Sequence, residues 1–169
     1  ITEFQLYQNR KAEKLIMMPF CQEDLEMHGH NFFELAYITG GTAEHTLETE
    51  VKTISAGDYF IVDYGCLHGF QNCKNLTLIN CLFLPETVDE TLQGCRSFSQ
   101  LLQGCLLKYY RMSLGKARLA RVSHDRDGQV GRLMQEMLLE YQEQKVGCYP
   151  LLRLKLLEIL LLTLRGLIE

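Results

Sequence analysis

At 169 residues, 47% of them hydrophobic, the chain can build one domain with a real core but not two of full size. Its net charge of −4 leaves no broad basic surface to neutralise phosphates, so this stretch by itself is not expected to hold nucleic acid. Seven cysteines, an odd number with no CxxC pair, argue against a disulfide framework or a thiolate zinc site and suit a reducing cytoplasm.

From Phe33 to Phe83 the chain reads as short β-branched and aromatic runs: Glu34 to Thr39, Thr42 to Thr49, Val51 to Ile54, Tyr59 to Asp63, His68 to Asn72 and Leu76 to Phe83. Turn residues separate them at Gly40-Gly41, Ala56-Gly57-Asp58, Gly65 and Lys74-Asn75. Strands so short and turns so frequent read as a sandwich or barrel, and an antiparallel β-barrel is expected from about Phe4 to Phe83. After Pro85 the pattern lengthens. Thr91 to Gln103 is read as a helix and Arg118 to Ser123 as a last strand. Val130, Leu133, Met134, Met137, Leu138 and Tyr141 then mark one apolar helical face, with Asp127 as the expected N-cap. Gly147 and Pro150 predict a stop and a restart, giving helices near Gln129–Gln144 and Pro150–Glu169 that lie antiparallel. The long apolar stretch from Leu151 to Ile168 is broken by Arg153, Lys155, Glu158 and Arg165, so no membrane span is read there, and no secretion signal opens the chain. A start on Ile1 and a stop at Glu169 inside a helical pattern suggest an excised piece of a longer protein.

His28, His30 and Glu34 share parity, so in one extended strand all three point to the same face. In a helix the two histidines would diverge by about 200°. Two imidazoles and a carboxylate, joined by His68 beyond the turn at Gly65, suit a divalent metal such as Zn, Ni, Mn or Fe. The alternative is a hydrogen-bonded polar patch, which would equally serve a polar ligand. Phe32 and Phe70 share the ligands' parity and are expected as pocket walls. His45, on a Thr-flanked strand, reads as exposed at an edge, and His124 as a neighbour of a helix start; neither is expected to ligate.

His28-x-His30-x-x-x-Glu34, followed by Gly41, resembles the first cupin motif, and Gly57 with Gly65-x-x-His68-x-x-x-Asn72 resembles the second. Gln22 and Asp63 stand where that pattern usually has a glycine and a proline, departures that affect turns rather than ligands. The phrase His28 to Gly41, then Ala56 to Phe60, then a leucine-rich hairpin, resembles the sensor half of AraC-type transcription regulators. That resemblance implies a cupin-like double-stranded β-helix barrel (residues 1–85) that binds a small-molecule effector, and a helical region (86–169) that pairs two subunits. It also implies a helix-turn-helix domain, absent from this sequence, through which alone DNA is contacted. Residues Ile1 to Phe20 would by analogy pair with the barrel edge or cover the pocket. Effector-binding residues are then His28, His30, Phe32, Glu34, His68 and Phe70, with His28, His30, Glu34 and His68 as metal ligands. No catalytic residue is assigned. The rival reading is a metal-dependent cupin enzyme, an oxygenase or isomerase, using the same four ligands.

In the last helix, Leu154, Leu157, Leu161, Leu164 and Ile168 follow a heptad seam, while Leu152, Leu156, Leu160 and Leu167 form a second face. The seam is expected either at a homodimer interface or in the core of a single subunit.

Overall fold

The computed structural model describes residues 14–105 and 122–168. The expected arm before Lys14 and most of the Arg118 to Ser123 strand lie outside the described residues. Seven strands form one antiparallel sheet: β1 (Leu15–Gln22), β2 (Leu25–His28), β3 (Phe33–Leu47), β4 (Glu50–Ser55), β5 (Asp58–Val62), β6 (His68–Phe83) and β7 (Ser123–His124). Three α-helices are described: α1 (Phe98–Cys105), α2 (Gln129–Glu143) and α3 (Cys148–Ile168).

The sheet is ordered β1-β6-β3-β5-β7, with β2 also paired to β6 and β4 to β3. Strands β3 and β6, of 15 and 16 residues, run through both halves of it. Their near halves pair with β5 and β1, and their far halves with β4 and β2. The glycine and asparagine clusters expected as turns are bulges inside these two continuous strands. Gly41 sits at φ +76°, Asn72 and Asn75 at +53° and +51°, and the register slips around Gly40 and Thr42. Bulges add twist and bend a strand pair, so the two halves fold over one another. The result is the cupin-like barrel followed by a helical hairpin.

The bulge also changes which residues face inward. Between the paired positions Ile38↔Leu78 and His45↔Phe70, β3 advances seven residues while β6 advances eight. Side chains alternate with period two, so an odd advance flips the inward parity of β3 and an even one preserves that of β6. Ala36 and Ile38 therefore share the interior with Ala43, and Phe70 with Leu76 and Leu78. Ile54, Phe60 and Val62 complete this inner core.

A second core lies on the sheet's outer face, where Phe33, Leu35, Tyr59, Ile79 and Cys81 meet the helices. Helix α2 buries Val130, Leu133, Met134, Met137 and Tyr141, the face read from its period. Its cap is not Asp127. Gly128 occupies the cap position at φ +71°, and the Asp125 carboxylate accepts from the backbone N–H groups of Val130 (3.2 Å) and Gly131 (2.8 Å). Tyr37 of β3 donates to the same carboxylate at 2.8 Å, which ties the helix start to the sheet. Helix α1 begins later than expected, because Gly94 at φ +90° turns the chain before it.

Gly147 at φ +81° separates the hairpin helices. They are antiparallel, since Cys148 meets the carbonyl of Glu140 while Lys155 pairs with Glu136 at 2.9 Å. Helix α3 turns Leu152, Leu156, Ile159, Leu160 and Leu164 into the core. Leu164 thus cannot belong to an exposed seam. Leu157 is half-buried against the same core, and the Ile168 side chain lies outside the described residues. What remains on the surface is Leu151, Leu154 and Leu161, 42%, 56% and 36% exposed. No helix among the described residues is long and apolar enough to cross a membrane.

Candidate metal centre in the barrel

Three of the expected ligands converge. Glu34, at the start of β3, points its Oε2 to within 3.4 Å of His30 Nε2 and 3.2 Å of His68 Nε2, and all three side chains are buried. They reach that point from different elements. Strand β2 ends at His28 and β3 begins at Phe33, so His30 lies in the bend between them and not on one strand with Glu34. Its Nδ1–H donates to the Phe32 carbonyl at 2.9 Å, and its ring lies flat on the Phe32 ring, centroids 4.1 Å apart and 4° from parallel. Its Nε2 meets Glu34 Oε2 at 3.4 Å, where a proton would be donated to the carboxylate and a lone pair would be free to ligate a metal.

His28 stands apart from this group. Half-buried at the end of β2, it donates from Nδ1 to the Glu26 carbonyl at 2.9 Å, and its ring lies 4.4 Å from that of His68 and 6.3 Å from that of His30. The equal parity of residues 28, 30 and 34 does not carry across a bend. Phe70, inside the barrel on β6, packs 6.0 Å from His68 and 5.0 Å from His45.

His45 corrects the sequence reading. Instead of an exposed edge it occupies the interior, 1% exposed, with Nε2 3.2 Å from His68 Nδ1 and its ring 4.0 Å from that of Phe60. The odd advance along β3 brings it there. The signal for such a bulge in the sequence is Gly40-Gly41 facing Lys74-Asn75, which reads equally well as two turns. His124 lies on β7 and pairs with Asp58 at 2.8 Å, far from the cluster along the sheet.

Burial governs the charge of these rings. It holds His68 down to about 2, with His28, His45 and His30 acting in the same direction, and His45 down to about 4, with His28 adding to the effect. Neutral imidazoles are the form that binds metal. His68 Nε2 is buried without a hydrogen-bond partner, because Glu34, though close, lies off its line. The contacts of 3.2 and 3.4 Å match the ligand-to-ligand edge, about 3.4 Å, of a tetrahedral ion with bonds of about 2.1 Å. Two imidazole nitrogens and a carboxylate oxygen, all within 4.8 Å of one another, fit a divalent transition metal. A cleft lined by His45, Leu47, Glu50, Lys52 and Val122 holds about 10 Å³, roughly one water.

Among solved structures the chain resembles an RmlC-like cupin from Shewanella frigidimarina NCIMB 400 (22% identity, 41% of this chain and 66% of that one, TM-score 0.39). It also resembles KdgF from Halomonas sp. (23%, 41% and 69%, TM-score 0.38). Among curated proteins it is 28% identical over 67 residues to the HTH-type transcriptional activator RhaR of Yersinia pseudotuberculosis serotype O:1b, and equally to that of Yersinia pestis bv. Antiqua. The match takes in 40% of the chain and 23% of those relatives, so it spans less than a quarter of their length. The model of the AraC-like ligand binding domain matches residues 20–160. With most of its length inside that match, the chain belongs to the family of AraC-like ligand binding domains.

Proposed function

We propose that the chain is the effector-sensing and dimerising part of a cytoplasmic AraC-type transcription regulator, and that it senses rather than catalyses. The effector acts at the barrel formed within residues 1–85, the helical region 86–169 pairs two subunits, and a helix-turn-helix domain elsewhere in the full-length protein contacts DNA. The observation that carries this reading is the position of β5. Phe60 faces inward and stacks on His45 beside the cluster, while its neighbour Tyr59 faces outward and hydrogen-bonds Thr163 of α3 at 3.0 Å. A ligand that favours one placement of β5 therefore changes the seat of the hairpin, which is the differential contact that coupling requires.

In this reading His30, Glu34 and His68 hold a divalent cation, with His28 at the edge of the site as a fourth candidate and Phe32 and Phe70 as its walls. The cation would supply a Lewis-acidic point for an effector's oxygen. His30 and His68 would each present a ring nitrogen to the cation, and Glu34 would offset part of its charge. Native mass spectrometry with metal analysis of the same sample should find one divalent ion per chain, lost in Glu34→Ala with the fold retained. A converging cluster that takes up no Zn²⁺, Ni²⁺, Mn²⁺ or Fe²⁺ would leave the hydrogen-bonded patch as its role.

For assembly, the exposed stripe Leu151, Leu154 and Leu161 is the surface we assign to the homodimer, with Leu157 at its margin. Leu161→Glu would bury an unpaired carboxylate between subunits and should weaken association by several kcal/mol, about the loss of a hot-spot residue. Sedimentation equilibrium at micromolar concentrations should show a wild-type dimer and a monomeric variant with its β-sheet signal intact. A variant that dimerises as tightly as wild type would move the interface elsewhere.

A further inference from the structure

We propose that His45 is a positioning residue for the cation site. Its Nε2 accepts the Nδ1–H of His68 and so fixes His68 as the tautomer whose Nε2 lone pair faces Glu34 and His30. The inference rests on the reading of His30, Glu34 and His68 as a cation site.

The geometry decides between two directions for one hydrogen bond. His45 Nε2 and His68 Nδ1 are 3.2 Å apart and both buried, so one of them carries the proton between them. Were His45 the donor, neutral His68 would carry its own proton on Nε2 and would have to hydrogen-bond there. That atom is buried and makes no hydrogen bond, although Glu34 Oε2 lies 3.2 Å away. An N–H aimed away from a carboxylate so close is a costly arrangement in a dry interior, whereas a lone pair there needs no acceptor. In the opposite direction His68 donates from Nδ1, His45 accepts, and His68 Nε2 keeps its lone pair as a ligand. Partners on the second ring nitrogen commonly set the tautomer and orientation of metal-binding histidines.

His45 is suited to hold that direction because it cannot turn. Its ring is 1% exposed, stacks on Phe60 at 4.0 Å with 22° between planes, and meets Phe70 at 5.0 Å. The β3 bulge delivers it opposite Phe70 in register, two pairs from the Leu47↔His68 end of the ladder and so on the same inward parity. Neither cupin-like motif in the sequence contains this residue.

The test reads the proton first and the metal second. Long-range ¹H–¹⁵N correlation spectra of the metal-free protein, with histidine ¹⁵N-labelled, should show His68 protonated on Nδ1 and unprotonated on Nε2. His68 protonated on Nε2 would overturn the proposal. Co²⁺ titration followed by visible absorption then compares wild type with His45→Phe, which keeps the aromatic stack and removes the acceptor, and with His45→Gln, whose amide oxygen can accept. Affinity should fall about 10- to 100-fold in His45→Phe and recover most of that loss in His45→Gln. Equal Co²⁺ affinity in wild type and His45→Phe would remove the positioning role while leaving the cation site standing. A wild-type protein that takes up no Co²⁺ would remove both. Should His45→Phe not fold, the wild-type spectra and the His45→Gln titration still decide the matter.

Discussion

Alanine at Gly41 should destabilise the protein by about 4 kcal/mol or more, a large share of the 5–15 kcal/mol that holds an ordinary domain together. Two effects add. Gly41 sits at φ +76°, a conformation that costs an L-residue about 1–2 kcal/mol. A Cβ there would also lie 2.2 Å from the carbonyl oxygen of Asn75 and 2.5 Å from that of Lys74. Those atoms are backbone of the adjacent bulge, so neither can swing aside without undoing the bend that folds one half of the sheet over the other. Gly65 supplies the control: its φ is +71°, yet nothing lies within 4 Å of the added Cβ, so Gly65→Ala should cost only about 1 kcal/mol. Urea denaturation of both variants checks the difference. If Gly41→Ala were no less stable than Gly65→Ala, the close approach of β3 and β6 would not be what shapes the barrel.

The same bend marks the limit of what the sequence could disclose. β-branched runs marked segments of the strands between Phe33 and Phe83, periodicity marked the hairpin helices, and the linked spacings around His28 to Glu34 and Gly65 to Asn72 pointed to the cluster. Parity arguments hold only within an uninterrupted strand. His30 joins Glu34 from a bend rather than along a strand, and His28 is left at the edge for the same reason. His45 enters the interior because the Gly40-Gly41 bulge changes the inward parity of β3, and two glycines in a row do not say whether they make a turn or a bulge. Asp125 rather than Asp127 receives the first N–H groups of α2 and accepts from Tyr37 as well, a contact from the sheet that the helix pattern does not disclose. The leucine-rich last helix could not show which of its faces turns inward. The core took Leu152, Leu156 and Leu160 together with Leu164, so the heptad seam is split between inside and outside.

Acid should loosen the metal-free barrel from the inside, mainly between pH 6.5 and 4. Burial, with a smaller contribution from His28, holds His45 at about 4 in the folded protein, against 6.5 when exposed. Above pH 6.5 the ring is neutral in both states and contributes no pH dependence. Below it the unfolded chain takes up a proton that the folded chain refuses, so stability falls with falling pH until the folded value is reached. Each unit of that gap is worth about 1.4 kcal/mol, so His45 alone should remove about 3 kcal/mol by pH 4. His68 is pushed in the same direction by burial and by three neighbouring imidazoles. Urea midpoints measured from pH 7.5 to 4.5 in the presence of a chelator should therefore drop steeply for wild type. In His45→Phe, which keeps the ring stack on Phe60 but has nothing to protonate, the drop should be shallower by roughly one proton's worth. Equal slopes for the two proteins would mean that His45 takes up its proton without leaving the fold, and that the inner core is more open to water than its burial indicates.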